Sequence, residues 1–434
     1  MAQSVKEGLE PAILLLLQIA GSSMVAAQGF VTRSGTSFYD ANGRFIVQGC
    51  NFYPAMSLAS NSNNRPQVAN LLATASSLGL NVVRTWAFGD GPGQLQTAPG
   101  QYNEQWFQGL DYVIAQAAQN NLRVILPFVN NWSRNCPDRS DALVLLKDGV
   151  NFLLTSLSSS NFRSNYGGKD RYVQWSQQAR AGGSNPDDFY SNDYTRDLYR
   201  KFVSAVINRQ NTFTGIYYKN DPTIFAWELM NEPRCESDPS GDTLQNWLQE
   251  MASYVKSIDG NHLLSTGTEG FYGPSTTARH FLNPGGWAAN TGEDWMRNHR
   301  IDQIDFATFH SYPDQWMGGT IDDQLAFLAN WTRGHVYDGS ADRLNKPVVM
   351  GEFGAPMSSQ RTQDEFSNRN RFFQIVYQSV LNGGANAGVI FWQLNVAQNV
   401  PQSPNKYAVY CPADSSTVNI ISQQSAAVRG RRCK

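Results

Sequence analysis

The sequence predicts an α/β protein: a single (β/α)8 TIM barrel with an N-terminal β-hairpin cap. Three observations predict it. Apolar runs of strand character recur eight times, stretches of helical period separate them, and nearly every run ends in polar or aromatic residues. The runs are RFIVQGCNFY (44–53), LNVVRTWAF (80–88), LRVILPFVNNW (122–132), TIFAWELMNE (223–232), HLLSTGTEGFY (262–272), IDFATFHSY (304–312), PVVMGEFG (347–354) and GVIFWQLN (388–395). EQWFQGLDYVIAQAAQNN and LQNWLQEMASYVKSI are examples of the intervening helical stretches. Eight strands alternating with helices is the count of a closed barrel. A doubly wound sheet would carry a Gly-rich phosphate turn after its first strand, and none follows residue 53. Ahead of the first run, FVTRSGTSFYDANGRF reads as the hairpin that covers the barrel floor.

Size and charge narrow the function. The chain has 434 residues, with 34 Lys and Arg against 36 Asp and Glu, a formal net charge of −2. That balance offers no basic field for nucleic acid and no polybasic membrane anchor. At the N-terminus Lys6 precedes the apolar run AILLLLQIAG and the small residues of SSMVAAQ, so residues 1–27 read as a secretory signal. The run is too short to span a bilayer. Residues 28–434 then form one exported domain, expected to be secreted to the cell wall as a monomer. Five cysteines, Cys50, Cys136, Cys235, Cys411 and Cys433, show no metal-ligand spacing. In an oxidising compartment they are expected to give one or two disulfides with a thiol left over. Two glycosylation sequons begin at Asn131 and Asn330; the second reads as a helix surface and the first as a chance match.

The run ends carry the chemistry. In a (β/α)8 barrel they converge on one face, where such enzymes keep their active sites. Here they present Arg84 and Trp86, Asn131, Asn231 and Glu232, His310 and Tyr312, Glu352, and Trp392. Any one of these can be a packed core residue, but six strands ending polar together defies packing alone, because buried charges are rare unless paired. Glu232 and Glu352 end strands four and seven, nearly opposite on an eight-membered ring. Two carboxylates facing each other across a pocket are what glycoside hydrolysis requires. A separation of roughly 5–5.5 Å means retention through a covalent intermediate, and roughly 6.5–9.5 Å means inversion. Arg84 and Tyr312 are expected to donate to Glu352, Asn231 to a sugar 2-hydroxyl, and Trp392 to offer a flat face to a pyranose. Glu269 is read as structural or secondary.

IFAWELMNEPRC, VVRTWAF, PFVNNW, FATFHSYPDQW and VVMGEFG together resemble the endo-β-1,4-mannanases of glycoside hydrolase family five, plant members above all. The resemblance runs from about Phe30 to Asn395. It implies that Glu232 is the acid/base and Glu352 the nucleophile of a retaining reaction. It also implies that Arg84, Asn231, His310, Tyr312 and Trp392 support them, and that Trp86 and Asn131 line the sugar cleft. The implied partners are mannan, glucomannan and galactomannan, cut internally; no cofactor and no metal are needed. An endo-β-1,4-glucanase of the same clan and a catalytically impaired mannan-binding protein are the alternatives. The sequence departs from the family pattern between Trp132 and Tyr166. There, residues 133–165 form an atypical insertion after strand three, read either as a lid or as translated non-coding sequence.

Overall fold

A computed structural model describes residues 29–132, 166–397 and 405–432. The expected signal at 1–27, the 133–165 insertion, Cys136 and Cys433 lie outside the described residues. Eight parallel strands form the barrel: β1 (Val47–Asn51), β2 (Val82–Arg84), β3 (Arg123–Pro127), β4 (Ile224–Glu228), β5 (Leu263–Ser265), β6 (Ala307–Ser311), β7 (Val348–Phe353) and β8 (Asn386–Phe391). From β1 to β5 and from β6 to β8 each strand pairs with its sequence neighbours, and β8 returns to β1. Between β5 and β6 no regular ladder forms. The gap is bridged by the Asp305 amide on the Leu264 carbonyl (2.8 Å) and the His310 amide on the Glu269 carbonyl (2.9 Å).

Side chains two apart on a strand face the same way, and this divides the barrel interior into layers. Val82, Ala226 and Leu263 belong to an apolar floor with Phe38, Phe45 and Phe306. Two residues further up, the same strands carry Arg84, Glu228 and Ser265, which bond to one another. The floor is closed by the N-terminal segment, whose Phe38 and Phe45 rings pack on Phe225. This cap has one strand more than the expected hairpin: Thr32–Ser34, Ser37–Asp40 and Gly43–Phe45 form an antiparallel meander. Its second turn comes from DANG, where the Asn42 amide donates to Asp40 Oδ1 (2.8 Å).

The outer helices follow their start signals. Thr320 and Thr362 each make a capping box, with Asp323 and Glu365, at the heads of helices Ile321–Asp338 and Gln363–Asn382. A last helix, Ser415–Arg432, is tied to the preceding one by Asp414, which holds both Arg361 (2.5 Å) and Arg369 (2.9 Å). No helix among the described residues is long and apolar enough to cross a membrane. Asn330 is exposed on its helix, whereas Asn131 is buried.

The disulfide expectation is corrected for the described residues. Cys50, Cys235 and Cys411 are free, buried thiols. Burial raises the Cys50 thiol and pushes Cys235 up to about 11, so neither is a thiolate at neutral pH.

His299 gives the fold a measurable acid limit. Its Nδ1–H donates to the Trp295 carbonyl (2.8 Å) and its Nε2 accepts from the Thr308 amide (3.3 Å), so the ring is neutral. Burial lowers its pKa to about 3. Below pH 6.5 the unfolded chain binds a proton there that the native chain refuses, so stability falls as pH drops towards 3. At pH 5 the loss is about 2 kcal/mol. In His299→Asn, Tm should therefore fall less between pH 7 and 5 than in the parent; an unchanged slope would refute the assignment.

Candidate active site

The site stands on the upper layer of the barrel and the loops just beyond it. Glu352 on β7 is buried and accepts two hydrogen bonds: from Arg84 Nη1 on β2 (2.7 Å) and from the Tyr312 hydroxyl (2.7 Å). Both donors were expected from sequence. Arg84 is itself fixed on every side. Its Nη2 donates to Glu228 Oε1 (2.5 Å) and to Asn231 Oδ1 (2.6 Å), Nη1 also reaches Asn51 Oδ1 (3.0 Å), and the guanidinium lies 5.0 Å from the Trp86 ring. Asn51 is anchored in turn by donating to the Gly351 (3.1 Å) and Phe391 (3.3 Å) carbonyls.

Glu232 lies just past the end of β4, where the chain bends out of the ladder. Its backbone takes φ +52, and its amide bonds to the Gly267 carbonyl (2.8 Å). The left-handed conformation is costly for a residue with a Cβ and here aims the carboxylate back over the barrel mouth. Gly267 is a glycine for a local reason: at φ +83, a Cβ there would sit 2.8 Å from the Glu228 carboxyl carbon. Glu232 Oε1 accepts from His310 Nδ1 (2.7 Å) and Oε2 from the Trp132 indole N–H (2.5 Å).

One ligand-type atom from each of Glu232, His310 and Glu352 lies within 4.8 Å of the others. An oxygen of each carboxylate thus comes within 4.8 Å of the other, a close approach of the kind a retaining pair makes. A cation could be held by these three atoms only by displacing the His310–Glu232 hydrogen bond and sharing Glu352 with Arg84. Burial raises both carboxyls, but the hydrogen bond and charge of His310, with Trp132 and Arg234, bring Glu232 below the ordinary glutamate value. Glu352 stays above it, because burial and the Glu232 charge outweigh His310 and Arg84. Neighbours this close titrate as a unit, with one proton shared between them.

Asn231 is differently engaged from expectation. Its Nδ2 donates to Asn130 Oδ1 (2.9 Å), which leaves one amide hydrogen for another partner. Trp392 stacks at 3° and 5.4 Å on Tyr53, with Trp86 tilted against it at 5.8 Å, forming an aromatic wall. Trp86 is buried behind that wall. Asn131 accepts from the Arg234 amide (3.3 Å) and, with Trp132 and Arg234, lines a cavity of about 490 Å³ on the Glu232 side. Glu269 is spent on Arg234, which grips both its oxygens (2.6 and 2.8 Å); burial still pushes its carboxyl up to about 7.

Sequence reasoning missed Asn51, Glu228, Trp132 and Arg234. Glu228 was the most legible of these, a charge inside an otherwise apolar strand, which requires a partner. Glu228→Gln removes the counter-charge that orients Arg84 and is expected to destabilise the protein by about 3 kcal/mol. Activity should fall with it. An unchanged denaturant midpoint would show that Arg84 needs no second carboxylate.

With this geometry in place, comparison with known proteins gives the family. Residues 28–409 match the family described as GH family 5 beta-mannosidase-like. The chain belongs to glycoside hydrolase family 5. Curated relatives of this family 5 chain include mannan endo-1,4-beta-mannosidase 5 of Solanum lycopersicum, 41% identical over 407 residues (92% of this chain, 89% of the relative). Mannan endo-1,4-beta-mannosidase 7 of Arabidopsis thaliana is 38% identical over 425 residues (96% and 90%). Among solved structures, the hyperthermostable endo-1,4-beta-D-mannanase of Thermotoga petrophila superposes with a TM-score of 0.70 at 30% identity. It covers 88% of this chain and 100% of that one. The expected barrel and the expected family are therefore both found.

Proposed function

We propose that this chain is an endo-acting hydrolase of β-1,4-mannans, including glucomannan and galactomannan, and that it works with retention of anomeric configuration. The observation that carries the reading is the pair Glu232 and Glu352, oxygens within 4.8 Å, each with its own donors. Glu352 is the nucleophile. With His310 charged, Glu232 is the lower of the two carboxyls. That order rests on a cation that titrates, whereas Arg84 is permanently charged and fixed against Glu352, so with His310 neutral the anion is favoured on Glu352. Glu232 is the acid/base.

In the first step a Glu352 oxygen bonds to the anomeric carbon. The glycosidic C–O bond breaks, and its oxygen takes the proton of Glu232. The product is a glycosyl ester on Glu352 and a released sugar chain. In the second step Glu232 takes a proton from water, the water oxygen bonds to the anomeric carbon, and Glu352 leaves as a carboxylate. Tyr312 and Arg84 stabilise that departing charge, and the Trp392 wall offers an apolar face to the pyranose. The free amide hydrogen of Asn231 suits the 2-hydroxyl, a contact that strengthens in the transition state. The two carboxylates supply nucleophile and proton, so the chemistry balances without a cofactor.

The names of the relatives, two mannan endo-1,4-beta-mannosidases and an endo-1,4-beta-D-mannanase, support mannan as the polymer. The apolar run AILLLLQIAG and the small residues that follow it support export to the cell wall. Product analysis tests the reading. Purified protein on galactomannan should cut viscosity fast and release short manno-oligosaccharides, with no products from β-1,4-glucan. Products from the glucan alone would overturn the substrate while leaving the two carboxylates in role.

A further inference from the structure

Beyond the two carboxylates, the partly buried Arg234 on the acid/base side has no part in the steps above. Arg234 follows Glu232 by two residues and lies against three aromatic rings: Trp132 at 4.9 Å, Phe271 at 5.3 Å and Trp287 at 5.4 Å. Both Glu269 oxygens hold its guanidinium (2.6 and 2.8 Å), its amide donates to Asn131 (3.3 Å), and its carbonyl accepts from Lys169 Nζ (2.8 Å). Glu269 is seated too, since Glu293 accepts from the amides of Glu269 (3.2 Å) and Gly270 (2.6 Å). A guanidinium clamped on one edge and held with its central carbon 4.9 Å over an indole restricts the tilt of that indole. The restricted ring is the one whose N–H meets Glu232 at 2.5 Å.

We propose that Arg234 is a positioning residue for the proton donor: anchored by Glu269, it fixes the Trp132 indole and through it the pose of the Glu232 carboxyl. The inference rests on the acid/base role given to Glu232 above. Its cause is specific to one carboxylate. Arg234 shares no hydrogen bond with Glu352, whose donors come from β2 and the end of β6. Arg234 therefore acts on protonation of the leaving group and not on nucleophilic attack.

The charge acts in the same direction. Glu232 is faced by His310, Glu352, Tyr312, Arg84 and Glu269 from the surrounding strands, and by Arg234 and Trp132 from the loops. Arg234 is one of the groups that lower it. Loss of that charge raises Glu232, which then keeps its proton to higher pH. Glu269 offsets only part of the change: without Arg234 it takes up a proton and stops repelling the Glu232 anion, but burial already holds it up at about 7, so much of that repulsion is absent in the parent.

The test uses Arg234→Met, Arg234→Lys and Trp132→Phe, each against manno-oligosaccharides and against a dinitrophenyl β-mannoside whose leaving group needs no acid. Arg234→Met should lose about 10-fold in kcat/KM on the oligosaccharide, part of the roughly 10²–10⁴-fold that a general acid supplies, and little on the aryl substrate. Its basic pH limb should move up, while Arg234→Lys leaves that limb in place. Combined with Trp132→Phe, Arg234→Met should cost clearly less than it does alone, because both act through one hydrogen bond. Equal losses on both substrates, an unmoved limb, or full additivity would overturn the proposal.

A readout free of substrate separates this inference from the reading it rests on. The indole N–H resonance of Trp132, assigned by its loss in Trp132→Phe, should be strongly downfield and should move upfield in Arg234→Met. A resonance unmoved by Arg234→Met would overturn the positioning role whatever the enzyme hydrolyses.

Discussion

Glu352→Gln is expected to abolish turnover, with a loss on the order of 10⁴-fold or more, equivalent to about 5.4 kcal/mol of barrier. The reasoning is local. An amide of the same shape still accepts from Arg84 through its oxygen, and the Tyr312 hydroxyl can turn to accept from its nitrogen. The fold should therefore survive, with a melting temperature close to the parent's. What disappears is the anionic oxygen that forms the glycosyl ester, and no neighbour can replace it. Glu228 is held against Arg84, and Glu232 is held by Trp132 and His310. Initial rates on manno-oligosaccharides and on an aryl β-mannoside should collapse together, because both substrates need the same attack. Wild-type rates on either substrate would remove Glu352 from the mechanism.

Glu232→Gln should divide the same two substrates. For a sugar leaving group the loss is expected in the range of roughly 10²–10⁴-fold, the contribution of a positioned general acid. For a dinitrophenyl leaving group, which departs as a stable anion, the first step should be nearly spared. The ester on Glu352 would then accumulate, since no base activates water, and a burst of dinitrophenolate should precede a slow steady state. Added azide should accelerate that steady state by attacking the ester without a general base. Equal loss of the burst and of oligosaccharide hydrolysis would show that Glu232 does not protonate the leaving group.

The barrel was legible because its strands are apolar runs separated by helical periods, and each of the eight expected segments overlaps an observed barrel strand. The expected ends ran too far. The segment 80–88 contains only Val82–Arg84 as ladder, since the chain then bends outward with single bonds such as the Thr85 amide on the Ile125 carbonyl (3.1 Å). Those irregular ends are where Trp86, Glu232, Tyr312 and Trp392 sit, so the error in boundary and the position of the site have one cause. Glu352 with Arg84 and Tyr312 could be anticipated from opposite strands on a ring. The Trp132–Glu232 hydrogen bond could not, since it depends on the positive φ of Glu232 and on two loops meeting. Asn231 illustrates the same limit. Its side-chain partners, Arg84 and Asn130, come from strand two and from the chain just past strand three, and nothing in the local sequence pairs them.

The central claim is retention by a two-carboxylate displacement. It is tested most directly by following hydrolysis of a manno-oligosaccharide by proton NMR and identifying the anomer that appears first. Two displacements at one carbon predict that the β-anomer of the new reducing end forms first and then mutarotates. An α-anomer appearing first would mean direct attack by water and would contradict the account.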